Sequence, residues 1–324
     1  MQIETYLYDA NGNDKQIELN SQIWKNLNHQ QLLWVNVLQR DVQTIKHVAA
    51  TLELRNVAIK TILDTYERPK LNKFETFYQF FIVSVETDKD GQLKQIPIDF
   101  LVGRNFVVTI HDGRIEYFLE FLDRERGETS IGELDAESFI ATLLDLHIVT
   151  YFRALEGIER TVDRLDERIL RRDLKDEDFI KEMVELRRKV SKLRRWFEPH
   201  RDVFYALSRP DFLPIAQSDS SASFQMLNGH FENAVQAIES SRDTVLSLFD
   251  LYTTKSAHNM NNLMKRLTFV TLMVGGLGAI AGVWGMNFEV EYFKAAETGF
   301  WLTILGMGIF VLGTIALAKL MRWF

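Results

Sequence analysis

Two runs near the C-terminal end depart from the usual mixture of apolar and polar positions: residues 267–288 and 300–318 contain no charged side chain. Each matches the ~20 apolar residues needed to cross the hydrocarbon core of a bilayer. Helices buried in a soluble core rarely run so far without a charge. The pattern therefore predicts two membrane-spanning helices, 267–288 and 300–320, joined by a short loop at 289–299. Lys265 and Arg266 precede the first span, and Lys319 and Arg322 follow the second. Basic residues on both outer flanks place both chain ends in the cytoplasm by the positive-inside rule. The loop then faces outward, where Glu289, Glu291 and Glu297 stand against a single Lys294. An acidic mouth concentrates cations, although a short polar loop also serves plain solubility.

Upstream, residues 1–135 read as a cytoplasmic α/β domain. Short β-rich runs at 3–8, 32–38, 78–86, 96–102 and 106–111 alternate with helical stretches at 42–54 and 57–65. The Asp-Lys-Asp-Gly segment at 88–91 predicts a hairpin turn. From 136 to 220 apolar residues recur at three- and four-residue steps, predicting helices over about 136–170 and 176–207. All five prolines lie at or before Pro214, so nothing interrupts the helical beat of Phe224, Leu227, Phe231, Val235, Ile238, Val245, Leu248 and Tyr252. A stalk at 221–266 continues into the first span as one helix of roughly sixty residues, ~90 Å long at 1.5 Å per residue. The fold class is thus an α+β cytoplasmic domain with long stalk helices and two C-terminal transmembrane helices.

Composition narrows the chemistry. The chain has no cysteine, which excludes disulfides and thiolate metal sites. A net charge of −7 argues against a nucleic-acid partner. The first residues carry neither a basic nor an apolar signal region, so no cleaved leader is expected. Phosphate-loop, His-Glu-x-x-His and Gly-x-Ser-x-Gly motifs are absent, which argues against an enzyme and against any cofactor. His111, His200 and His230 are scattered and read as structural.

One stripe of the long helix carries Asp250, Asn261, Met264, Thr271, Gly275, Gly278 and Gly282. Small residues permit close helix contact in lipid, and polar ones are better placed facing water than acyl chains. Several copies around an axis satisfy both needs, and two spans per chain cannot enclose a pore alone. Simpler readings remain open at this point: a dimer packed through Gly278 and Gly282, a stalk without transport function, and Asp250 as a solvated residue.

Gly285, Met286 and Asn287 lie where the first span meets the outer loop, and here the sequence resembles the CorA family of magnesium channels. The likeness runs through Asn261, Met264, Lys265, Leu267 and Thr268, then Ile280-Ala281-Gly282, then Gly285-Met286-Asn287-Phe288. Arg68-Pro69-Lys70 and the run from Ile98 to His111 extend it into the soluble part. The resemblance implies a homopentameric funnel in the cytoplasmic (inner) membrane, its first spans lining a pore and its second spans facing lipid. It implies an ion-binding mouth of Gly285, Met286 and Asn287, with Asn287 holding hydrated Mg²⁺ through outer-sphere contacts. Thr271 then offers hydroxyls, Met264 and Leu267 an apolar constriction, and Asn261 and Asp250 polar rings at the cytoplasmic end. The expected function is passive Mg²⁺ uptake, with Co²⁺ and Ni²⁺ as further cargo; a Zn²⁺ transporter of the related ZntB branch and a non-conducting scaffold are the alternatives. The chain departs from the family pattern at Gly275, Gly276 and Gly278, which replace a methionine, a proline and a threonine. It also departs at Met226-Leu-Asn-Gly, where a regulatory carboxylate is expected.

Overall fold

The computed structural model describes residues 3–9, 11, 14–54, 56–63, 68–88, 91–124, 136–171, 177–209, 212, 218–286 and 296–320. The chain divides into two compact units, 1–168 with 175–248, and 169–174 with 249–324.

The first unit is built on a seven-stranded sheet. Its strands are β1 (Ile3–Asp9), β2 (Lys15–Ile17), β3 (Gln31–Val37), β4 (Lys70–Lys73), β5 (Phe77–Thr87), β6 (Leu93–Gly103) and β7 (Phe106–His111), in the order β2-β1-β3-β7-β6-β5-β4. Only β3 and β7 pair in parallel, with Leu33 opposite Phe106 and Val37 opposite Ile110. Valine, isoleucine and aromatic residues fill β3, β5 and β7 almost without a polar break, as expected of strands covered on both faces. One face packs Leu33, Val35, Leu101, Val108 and Ile110 against Ile45 and Val48 of helix α2 (Val42–Thr51) and Leu52 at its C-terminal cap. Asp41 starts that helix by accepting the backbone N–H groups of Gln43 and Thr44, both at 2.9 Å. Ile62 of α3 (Asn56–Leu63) joins the same cluster. The other face is aromatic: Trp34 packs edge-on against Phe118, Phe121 and Phe139. These come from α4 (Glu116–Arg124) and α5 (Ala136–Leu170). A short α1 (Ser21–Lys25) precedes β3.

The helix expected over 176–207 is instead α6 (Glu177–Phe197), a 3-10 turn (Glu198–His200) and α7 (Arg201–Ser208). Pro199 lacks the N–H that would continue the α-helical ladder. The break places His200 against the edge of β5. There Val83 N–H donates to His200 Nε2 at 2.9 Å, and the Tyr151 hydroxyl donates to Val83 O at 2.7 Å. β4 pairs with β5 only as far as Phe81, so these two side chains satisfy the edge that β4 leaves open. His200 Nδ1 lies 2.9 Å from Phe197 O, which makes it the donor and fixes the neutral tautomer. Burial holds its pKa down at about 4. His111 is also structural, its Nε2 2.9 Å from Asn36 Oδ1, and exposed His230 pairs with Asp145 at 2.8 Å.

The hairpin joining β5 and β6 closes with Asp88 N–H to Gln92 O and Gly91 N–H to Asp88 O. Gly91 adopts φ of 72°, a left-handed conformation that glycine accepts without strain.

Candidate functional site

Helix α8 runs unbroken over Ser218–Trp284 and is followed by α9 (Ala296–Leu320). Three described helices, α5, α8 and α9, are long and apolar enough to cross a membrane. In α5, 61% of the most apolar window is buried inside the protein, so its apolar surface is core. The corresponding windows of α8 and α9 are not buried inside the protein in this way. Leu267, Val270, Val274 and Val283 on α8 and Trp301, Leu305, Ile309 and Leu312 on α9 are all more than half exposed. A continuous apolar surface of that length needs lipid or other copies of the chain to cover it.

In the second unit α8 has two distinct faces. Toward α9, the Thr314 hydroxyl donates to Met273 Sδ at 2.9 Å, and Gly276 lies under Phe310. A Cβ added at Gly276 would fall 2.2 Å from Phe310 Cζ, so any side chain there requires the ring to move. Near the helix end Gly299 approaches the Trp284 ring, at 3.7 Å from a would-be Cβ. Phe269, Met273, Gly276, Leu277 and Ile280 are the part-covered residues of this stretch. At 100° per residue, Met264, Thr271, Gly275, Gly278 and Gly282 lie roughly half a turn away from that covered face. All five are exposed, as are Asp250, Asn261 and Leu267. A Cβ at Gly275, Gly278 or Gly282 would meet nothing within 4 Å. The stripe marked out from sequence is thus one physical face, bare in the single chain. Gly276, which the sequence offered only as a replacement for proline, belongs to the opposite face, and the missed signal was its spacing of three from Met273.

Helix α8 closes at its C-terminal end with Gly285 N–H directed at Ala281 O and Gly282 O, at 3.0 and 3.1 Å, and Met286 N–H at Val283 O, at 3.3 Å. Gly285 and Met286 are exposed there. Asn287, Glu289 and Glu291 lie outside the described residues, whereas Glu297 is exposed in the first turn of α9. Among the described residues no cluster of three or more histidine, aspartate or glutamate side chains is placed to hold a bare metal ion. The exposed face carries the small Gly275, Gly278 and Gly282, the hydroxyl of Thr271, the apolar Met264 and Leu267, the amide of Asn261 and the carboxylate of Asp250.

Comparison with known proteins bears on the same segments. A cobalt/magnesium transport protein CorA from Thermotoga maritima is 26% identical over 294 residues, covering 90% of this chain and 83% of its own length. The complete structure of a CorA magnesium transporter from Methanocaldococcus jannaschii superposes with a TM-score of 0.76 at 19% identity, covering 98% of both chains. The cytoplasmic domain of ZntB from Vibrio parahaemolyticus matches with a TM-score of 0.62 at 12% identity, over 80% of this chain and all of that one. These two structures establish a shared fold, from sheet to C-terminal helices in the first case and for the soluble part in the second. The family model described as CorA-like Mg²⁺ transporter protein matches residues 29–319, which takes in strands β3 to β7, the long helix and the apolar helix after it, and the chain therefore belongs to the CorA family of divalent-cation transporters.

Proposed function

We propose that this protein conducts Mg²⁺ passively into the cell through a homopentamer in the cytoplasmic membrane. The observation that carries the reading is the bare face of α8. Met264, Leu267, Thr271, Gly275, Gly278 and Gly282 point away from α9 through the apolar stretch, with Asn261 and Asp250 on the cytoplasmic side of it. Five such faces around an axis give a conduit lined by small and hydroxyl groups, narrowed by the apolar Met264 and Leu267. Mg²⁺ releases its waters reluctantly, so the mouth at Gly285, Met286 and Asn287 acts on the hydrated ion. A ring of neutral amide dipoles from Asn287 attracts it without trapping it, and Glu289, Glu291 and Glu297 raise its local concentration. Inward movement is driven by the membrane potential at ~2.3 kcal/mol per charge per 100 mV.

The test is ion flux into liposomes containing the purified protein, comparing Mg²⁺, Co²⁺, Ni²⁺ and Zn²⁺ with a pH gradient imposed and removed. Mg²⁺ influx that follows an inside-negative potential, is indifferent to the pH gradient and is lost in Asn287→Ala supports the reading. Zn²⁺ flux that exceeds Mg²⁺ flux and requires the gradient supports zinc transport on the same scaffold. Absence of flux for all four ions removes the transport reading.

A further inference from the structure

A cavity of about 560 Å³ opens between the β5–β6 hairpin and helices α4, α5 and α6, within the first unit. Its volume lies in the range of small-molecule sites. Its floor is apolar, formed by Val85, Leu93, Tyr117, Ala154, Ile158 and Leu186. Tyr117 is 1% exposed, yet its hydroxyl has no hydrogen-bond partner among the described residues. A buried hydroxyl left this way carries its full desolvation penalty unless something entering the cavity meets it.

The walls carry Arg153, Arg160, Arg164 and Lys189 against Glu86, Glu116, Glu182 and Glu185, and these sort into neutralised and unmatched charges. Arg153 is held by Glu120, and Arg164 by Glu182. Arg160 and Lys189 line the same cavity and make no ion pair or hydrogen bond among the described residues. The contacts of Arg164 and Arg168 with Glu182 set α5 and α6 side by side. One turn back from Arg164 stands Arg160, and two turns on from Glu182 stands Lys189. The Lys189 ammonium lies 3.9 Å from where a Cβ of Gly91 would be. Gly157, in the interior of α5, also borders the cavity, and a Cβ there would meet nothing within 4 Å. Glycine weakens a helix interior relative to alanine, and no close contact requires it here. On the strand side, half-buried Glu86 accepts the Glu116 backbone N–H at 3.1 Å. Burial, and less strongly the charge of Glu116, raise its pKa.

Each simple ligand leaves part of this lining unmet. A divalent cation finds carboxylates in Glu86, Glu116 and Glu185 but meets Arg160 and Lys189 beside them, and no metal-holding cluster is present among the described residues. Inorganic phosphate satisfies the two cations but leaves the apolar floor and Glu86 unused, and an apolar molecule strands both cations. We propose that the cavity binds a small organic phosphate carrying hydroxyl or amine donors, of the nucleoside monophosphate kind. The phosphate rests on Arg160 and Lys189, the donors face Glu86, and the flat apolar part covers Tyr117, whose hydroxyl gains a polar neighbour.

The experiment is calorimetric titration of the full-length protein in detergent with AMP, adenosine, inorganic phosphate and MgCl₂, each alone. AMP is expected to bind saturably at one site per chain, with adenosine and phosphate weaker by about tenfold or more. Arg160→Ala and Lys189→Ala each weaken AMP by about tenfold, the loss of one charge-assisted contact. Gly157→Phe, which fills the cavity, abolishes binding while the melting temperature is retained. The proposal is overturned if AMP gives no saturable heat, or if the arginine and lysine variants bind it as the parent does. It is also overturned if phosphate binds as tightly as AMP, leaving an adventitious ion only, or if MgCl₂ alone titrates the site and Glu86→Gln removes that signal.

Discussion

Replacing the adjacent glycines of α8 one at a time separates its two faces experimentally. A Cβ at Gly276 would lie 2.2 Å from Phe310 Cζ and 2.5 Å from Cε1. Carbon atoms rest at about 3.5–4.0 Å, so the ring must retreat by more than about 1 Å. Phe310 is backed by its own helix, and one turn further on Thr314 holds Met273 Sδ at 2.9 Å, so the retreat disturbs a packed contact rather than empty space. Overpacking of this kind costs typically about 1–3 kcal/mol. At Gly275 the added methyl meets nothing within 4 Å in the same chain, and its effect on protomer stability stays within about 0.5 kcal/mol. The assay is unfolding of Gly276→Ala and Gly275→Ala in the same detergent, followed by Phe310→Ala in each background. A coupling energy of about 1 kcal/mol or more between positions 276 and 310, with none between 275 and 310, is the expected result. Equal stabilities for the two alanine variants, or a Gly276→Ala defect untouched by Phe310→Ala, would refute the assignment of faces.

Two further predictions concern buried ionisable groups of the first unit. His111 and His200 are held at about 4 and His147 well below 6.5, in each case chiefly by burial. Between pH 6.5 and about 4 the unfolded chain therefore binds more protons than the folded one, and stability falls as pH falls by up to ~1.4 kcal/mol per pH unit for each histidine. Asp99, raised to about 6, opposes this with the reverse sign between 3.8 and about 6. His147→Phe, which removes a ring with neither nitrogen hydrogen-bonded among the described residues, should flatten the pH dependence of urea unfolding by one histidine's share; an unchanged slope contradicts the argument. Arg40 Nη1 lies 2.5 Å from the fully buried Asp99 Oδ2 and also donates to Ile62 O at 3.0 Å. Arg40→Met should cost about 3–5 kcal/mol in denaturant unfolding, and adding Asp99→Asn should recover part of it.

Sequence patterning located the long elements because their periodicity is strong. β1, β3, β5, β6 and β7 each span six or more residues of apolar or alternating character, and α8 keeps its beat where no proline follows Pro214. The short edge strands β2 and β4 escaped because three or four residues such as Lys15-Gln-Ile17 carry no period, their pairing being decided by β1 and β5 beside them. Pro199 was visible, but its outcome was not: whether a proline ends a helix or turns it depends on what the turned chain meets, here the edge of β5, where Val83 N–H donates to the His200 side chain. The cavity beside the β5–β6 hairpin left no motif, since its walls come from five elements spread over some hundred residues of the chain, about 85 to 189.

The bare face of α8 was legible because one helix had to meet two unlike demands. Its side toward α9 needs interdigitation, met by Met273 and by Gly276 beneath Phe310. If the other side met only acyl chains, leucine and valine would suffice along its whole length, and glycine would bring no packing to offset its weaker helix propensity. Instead Gly275, Gly278 and Gly282 leave that side open to close approach, and Thr271 adds a hydroxyl whose natural surroundings are water or another polar group. Helix contact within one chain uses none of these residues. The face is therefore left free for close approach by something other than this chain's own helices, and the pentamer proposed above supplies it in the form of further copies of the same face.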